Sequence, residues 1–130
     1  MRTGRFTNNK LLDVPGDGIF IGHEGEISGR IVNNDITGIA LGDGIRIDTD
    51  TSSNQTSTIE IDNNRIGAPV TFETVNYSGL GDDGIQVLHR DGTKTLNLTV
   101  TDNQFANTVS EGIRYFTDDD VAGVALRTSC

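Results

Sequence analysis

The stretch that decides the fold is residues 30–47, RIVNNDITGIALGDGIRI. It contains a short apolar alternation, an Asn-Asn pair, another apolar residue, a Gly-Asp-Gly step and a second alternation. Its local apolar spacing is two residues, the period of a strand with one buried face. No window of useful length along the chain shows the spacing of an amphipathic helix.

The same unit recurs. Asn9, Asn34, Asn64 and Asn103 each follow an apolar residue by three positions (Phe6, Ile31, Ile61, Val100) and precede another by two (Leu11, Ile36, Ile66, Phe105). A Gly-Ile step recurs at Ile19, Ile45, Ile85 and Ile113, and an acid precedes each of its glycines: Asp17, Asp43, Asp83 and Glu111. Strands this short gain stability when each turn of chain stacks on the next in parallel register. The Asn residues then form a column, because side-chain amides about 4.8 Å apart can hydrogen-bond along a stack. Asn also tolerates the left-handed backbone of a sharp corner.

On the motifs Ile31-Val32-Asn33-Asn34-Asp35-Ile36, Ile61-Asp62-Asn63-Asn64-Arg65-Ile66 and Val100-Thr101-Asp102-Asn103-Gln104-Phe105, the chain resembles the right-handed parallel β-helix, pectate-lyase-like superfamily. The resemblance implies an all-β, right-handed parallel β-helix solenoid of about four coils, without full caps. Its coils run approximately over 6–30, 31–60, 61–99 and 100–125 as one domain. The steps are 25 (6 to 31), 30 (31 to 61), 39 (61 to 100) and 26 (100 to 126, with Leu126 as the next equivalent). Extra residues must leave as loops, at 48–57, 67–80 and 88–94. The second carries Val70, Phe72, Val75 and Tyr77 and is expected to pack on the barrel. Asp118, Asp119 and Asp120 could open a short turn over 121–126. Phe6 and Leu11 at one end, and Phe105, Ile113 and Tyr115 at the other, have no evident cover in the sequence.

Composition agrees with a solenoid. Only 34% of the 130 residues are hydrophobic, and 16 Gly against 2 Pro suit many tight corners. A net charge of −9 argues against a nucleic-acid groove or an anionic membrane surface. No 18-residue apolar run exists, so membrane insertion is not expected. The opening MRTGRFTNNK lacks the apolar core of a signal peptide. The single cysteine, Cys130, excludes an internal disulfide and reads as an accidental terminal thiol. Sequons at Asn54, Asn76 and Asn97 read as chance matches in a chain rich in Asn, Ser and Thr.

Three constellations could carry chemistry. Stacked carboxylates repel, which raises pKa values or invites a cation, so Asp43, Asp82, Asp83 and Glu111 form a candidate calcium site, with Asp48 and Asp50 as further oxygen donors. The plainer reading makes each ladder acid a turn residue facing water. Second, Gly81-Asp82-Asp83-Gly84 resembles the paired-Asp motif of polygalacturonase-like enzymes, which implies Asp82, Asp83 and Asp43 (or Asp50) as catalytic acids. The Gly-His-Gly and Arg-Ile-Lys of those enzymes are missing, and the one Gly-His, at His23, lies upstream. Third, Arg46 and Arg114 sit between inward-pointing neighbours and should face outward in one column with Phe20 and Gln86, a candidate sugar-contacting stripe. His23 and His89, in different turns with no Cys nearby, read as surface residues.

The functional expectation is a structural or adhesive β-helix module of a secreted, cell-surface or filament-forming protein. Polysaccharide is the expected ligand, calcium the one cofactor the acids admit, and the open ends stack on further coils or other copies. The alternative is a carbohydrate-active enzyme fragment, a polysaccharide lyase or glycosidase, using Asp82 and Asp83.

Overall fold

The computed structural model describes residues 2–23, 26–50, 56–90, 95–117 and 124–128; for Arg2, His23, Asp50, Arg90, Thr117 and 124–128 it describes the backbone alone. The expected turn at Asp118 to Asp120, the loop cores 51–55 and 91–94, the Asn54 sequon and Cys130 lie outside the described residues.

Three parallel sheets wrap around one axis. The first orders β1 (Arg2–Thr7), β4 (Ile27–Val32), β7 (Thr56–Asp62), β12 (Thr95–Thr101) and β15 (Val124–Thr128). The second is formed by β2 (Lys10–Leu12), β5 (Asp35–Thr37), β8 (Arg65–Ile66) and β13 (Gln104–Phe105). The third is formed by β3 (Ile19–His23), β6 (Ile45–Asp50), β11 (Ile85–Arg90) and β14 (Ile113–Thr117). Every pairing within these sheets is parallel, and successive storeys of the chain are neighbours. No helix occurs among the described residues.

The register matches the repeat. Ile19 pairs with Ile45, Ile45 with Ile85 and Ile85 with Ile113, a single vertical line. Phe6, Ile31, Ile61 and Val100 form another. Ile31, Ile36, Ile45, Ile47, Ile61, Ile66 and Ile85 have no accessible surface and fill the axis. Branched side chains suit a pleated surface packed from two sides, and stacking identical residues lets each contact its copy above and below. Of the residues expected to lack cover, Phe6 is 40% exposed. Leu11, Phe105, Ile113 and Tyr115 are half-buried and pack on the core. The last step differs from expectation. Leu126 pairs with Leu98, and Val100 pairs with Thr128, so that step is 28 residues rather than 26. No further Asn of the column follows Asn103 to set that step.

The corners divide the labour that the sequence had assigned to one Asn. The left-handed backbone belongs to the preceding residue: Asn8, Asn33, Asn63 and Asp102, with φ of 59°, 58°, 53° and 52°. The following Asn keeps its ordinary backbone and points its amide along the axis. Asn9 Nδ2 donates to Asn34 Oδ1 at 3.0 Å, Asn34 Nδ2 to Asn64 Oδ1 at 2.9 Å, and Asn64 Nδ2 to Asn103 Oδ1 at 2.9 Å. Each of these oxygens also accepts the backbone N–H of the Asn above it, at 2.9 Å. Asn34 and Asn64 are buried and satisfied on both sides.

The loop at 67–80 folds as a hairpin of β9 (Val70–Phe72) and β10 (Val75–Tyr77). Its tip, Glu73 and Thr74, is left-handed at both residues, with φ of 48° and 68°, the geometry that matches strand twist in a two-residue turn. A backbone bond from Gly79 N to Gly67 O at 3.0 Å closes its neck. Its Tyr77 lies against Gly38, and Lys10 Nζ sits 5.9 Å from the Phe72 ring centre. The packing expected of all four apolar residues is partial, since Phe72 and Val75, paired with each other at the tip, remain exposed.

Candidate functional site

The third sheet and the corner before it hold most of the candidate residues. Close approach of storeys builds that corner. A Cβ on Gly44 would lie 2.7 Å from Gly84 O and 2.6 Å from Ile66 Cγ2, and one on Gly84 would lie 2.5 Å from Gly112 O. Glycine therefore lets the chain drop against the storey beneath, and Ile45 N and Ile85 N reach the carbonyls of Gly84 and Gly112.

Three of the acids before the Gly-Ile steps turn a carboxylate to the backbone of the next storey. Asp17 Oδ1 accepts from Asp43 N at 2.9 Å, Asp43 Oδ1 from Asp83 N at 3.0 Å, and Asp83 Oδ1 from Glu111 N at 2.9 Å. The water-facing reading is corrected for two of them. Asp43 is 2% exposed and Asp83 is fully buried. A carboxylate held by a backbone N–H can be buried where a free one cannot. Glu111, in the last storey of this ladder, stays exposed.

The two buried acids differ in their surroundings. Burial pushes the Asp43 carboxyl upward, the neighbouring Asp17, Asp83 and Asp82 push it further, and the Asp83 N–H only partly opposes them. Burial also acts upward on Asp83. There it is outweighed by hydrogen bonds from Glu111 N–H, Gln86 and Ser110 and by the Arg114 charge, so the group lies below its ordinary range.

Asp43, Asp82 and Asp83 each bring one oxygen within 4.8 Å of the others. Glu111, the fourth expected member, is not part of that group. Of the six carboxylate oxygens, Asp43 Oδ1 and Asp83 Oδ1 already accept N–H bonds. Asp83 Oδ2 faces Gln86 Nε2 at 3.2 Å and Arg114 Nη1 at 3.8 Å. The oxygens of Asp82 and the second oxygen of Asp43 are the carboxylate oxygens of this group that accept no hydrogen bond among the described residues.

The outward stripe is assembled by register. Phe20 pairs with Arg46, Arg46 with Gln86, and Gln86 with Arg114. Arg46 lies 5.7 Å from the Phe20 ring centre and Arg114 lies 4.3 Å from that of Phe116. Phe20 is 55% exposed. Arg114 Nε also meets Glu111 Oε2 at 3.6 Å. Asp83 holds both Gln86 and Arg114, so the acid ladder orients the lower half of the stripe.

His89 corrects a second expectation: it is fully buried, not on the surface. Its Nδ1 lies 3.1 Å from the Tyr115 hydroxyl, and it stacks on buried Thr49. Burial pushes the Tyr115 phenol up to about 12. The signal was present in the sequence, because the alternation that turns Ile85 and Val87 inward continues to His89. The His23 and Asp50 side chains lie outside the described residues.

No curated protein and no solved structure matches the chain. The family model described as a right handed beta helix region matches residues 2–125. With that match spanning the three stacked parallel sheets, the chain belongs to the right-handed β-helix family.

Proposed function

We propose that the chain is a structural module of a secreted or cell-surface protein rather than a catalyst. Its rigid third sheet offers Phe20, Arg46, Gln86 and Arg114 to a polysaccharide. One observation carries this reading: the carboxylates that hydrolysis or elimination would need to be free are spent on the fold. Asp43 and Asp83 are buried and hold the backbone N–H of the storey below. A planar guanidinium beside an aromatic ring, repeated along a flat wall, suits sugar hydroxyls and ring faces.

The open storeys belong to the same reading. Among the described residues nothing donates to Asn9 Oδ1, whereas that oxygen accepts two bonds in each of the next three storeys. It is a vacant acceptor for a further coil or another copy stacked end to end.

The enzymatic alternative keeps one observation in its favour. The Asp82 carboxylate makes no hydrogen bond among the described residues and lies within 4.8 Å of oxygens of Asp43 and Asp83. One experiment separates the readings: the purified chain is incubated with neutral and acidic polysaccharides, with binding and product release both followed. Binding that is lost in the Arg46→Ala, Arg114→Ala double variant, without release of reducing ends or unsaturated sugars, supports the module. Product formation that disappears in Asp83→Asn overturns it.

A further inference from the structure

The inward positions of the first sheet form a column that is incomplete at its top. Gly4 pairs with Gly29, Gly29 with Ile59, and Ile59 with Leu98. Ile59 and Leu98 are 1% exposed and fill the axis at their level. The two storeys above them have no side chain at that position. A half-open pocket of 260 Å³ results, lined by Phe6, Ile27, Ile31 and Ile59 together with the exposed Phe20.

The room there is real. A Cβ on Gly4 would meet nothing within 4 Å, and one on Gly29 would meet only Gly4 O, at an ordinary 3.5 Å. Neither residue has positive φ. These glycines are therefore not demanded by backbone shape or by crowding, unlike Gly44 and Gly84.

The lining sets the chemistry of an occupant. Its one charged residue is Arg30, and that guanidinium is committed to Glu60 by two hydrogen bonds of 2.9 and 3.0 Å. No charged group is left to anchor an ion or a sugar. An apolar cavity of about 150 Å³ is already enough to hold benzene. We propose that this cavity is a binding site for a small uncharged apolar molecule, a monocyclic aromatic or a short branched alkyl group. The ligand takes the place of the two aliphatic side chains that the column lacks at Gly4 and Gly29.

Toluene is the probe, added to the full chain with isotope-labelled isoleucine methyl groups. Saturable shifts are expected at Ile27, Ile31 and Ile59, with Ile66 and Ile85 unmoved. Gly29→Val fills the slot with a residue that strands favour, and should weaken toluene binding at least tenfold while the protein stays folded. Gly4→Val, in the first storey, provides the same test if Gly29→Val does not fold. The proposal is overturned if toluene at its solubility limit leaves the Ile59 methyl in place, or if the shifts survive in the filled variants. It is equally overturned if the same methyls shift on concentrating the protein without toluene, which would give the cavity to a second copy.

Discussion

Gly84 and Gly112 stand in the same column and precede equivalent isoleucines, yet the structure predicts opposite responses to alanine. A Cβ on Gly84 would lie 2.5 Å from Gly112 O and 2.5 Å from Phe105 Cδ1. The carbonyl cannot yield, because it accepts from Ile85 N at 2.9 Å, beside the bond from Gly84 N to Glu111 O at 2.8 Å. Relief of the clash must part the two storeys and weaken both bonds. Overpacking of about 1–3 kcal/mol, plus about 1 kcal/mol for a lost hydrogen bond, gives roughly 3 kcal/mol for Gly84→Ala. A Cβ on Gly112 meets only Phe105, at 3.7 Å. Gly112→Ala should then stay within about 0.5 kcal/mol of the parent. Urea titration followed by circular dichroism measures both, and the melting temperature of Gly84→Ala should fall by roughly 10 °C. Equal destabilisation of the two variants would refute the argument, since the contacts a Cβ would meet differ between the two sites. So would a neutral Gly84→Ala.

The Asn ladder predicts graded losses. Asn64→Ala removes four side-chain hydrogen bonds at a buried position and should cost about 4 kcal/mol at roughly 1 kcal/mol each, whereas Asn9→Ala removes one and should cost about 1 kcal/mol, both read by urea titration. The two buried acids oppose each other in pH dependence. Asp83 titrates below its unfolded value, so its contribution is present at neutral pH and is lost as pH falls through the folded value; Asp83→Asn should lower stability at pH 7 and flatten the acid limb. Asp43 titrates above its unfolded value, so its contribution is present in acid and is lost as pH rises through the folded value. Asp43→Asn, which keeps an oxygen for Asp83 N, should raise stability at pH 7. Millimolar calcium should leave the melting temperature unchanged in the parent, because the oxygens of Asp83 are occupied; a rise abolished by Asp82→Asn would restore the cation site.

The sequence revealed what repeats at short range and concealed what depends on contact between storeys. The isoleucine line and the Phe20, Arg46, Gln86, Arg114 stripe follow from alternation alone, since a period of two fixes which side chains share a wall. The depth of Asp43 and Asp83 does not, because it depends on backbone N–H groups supplied from 40 and 28 residues away. An Asp before Gly looks the same in a wet turn and in a buried ladder. The left-handed residue was placed one position late for a similar reason: both members of an Asn-Asn pair tolerate that conformation, and only the axial hydrogen bonds decide which one takes it. The empty column at Gly4 and Gly29 leaves no mark in the alternation, because a glycine mid-strand has no side chain to assign to either face.

The two ladders run in opposite senses, and this fixes the register of every storey. In the Asn column the storey nearer the N-terminus donates and the one below accepts; in the acid column the lower storey donates and the upper accepts. A storey displaced by one residue would lose partners at both corners and turn its apolar set outward. Coil length is free by comparison. Steps of 25, 30 and 39 residues separate Phe6, Ile31, Ile61 and Val100, yet these four stand in one line. The additional chain leaves between ladders, as at the neck joined by Gly79 N and Gly67 O, where added residues cost only slowly growing loop entropy. Variation in what the module contacts can therefore accumulate in such excursions, as it already does between Asn64 and Asp83, which stand 19 residues apart where Asn34 and Asp43 stand 9 apart, with both ladders intact.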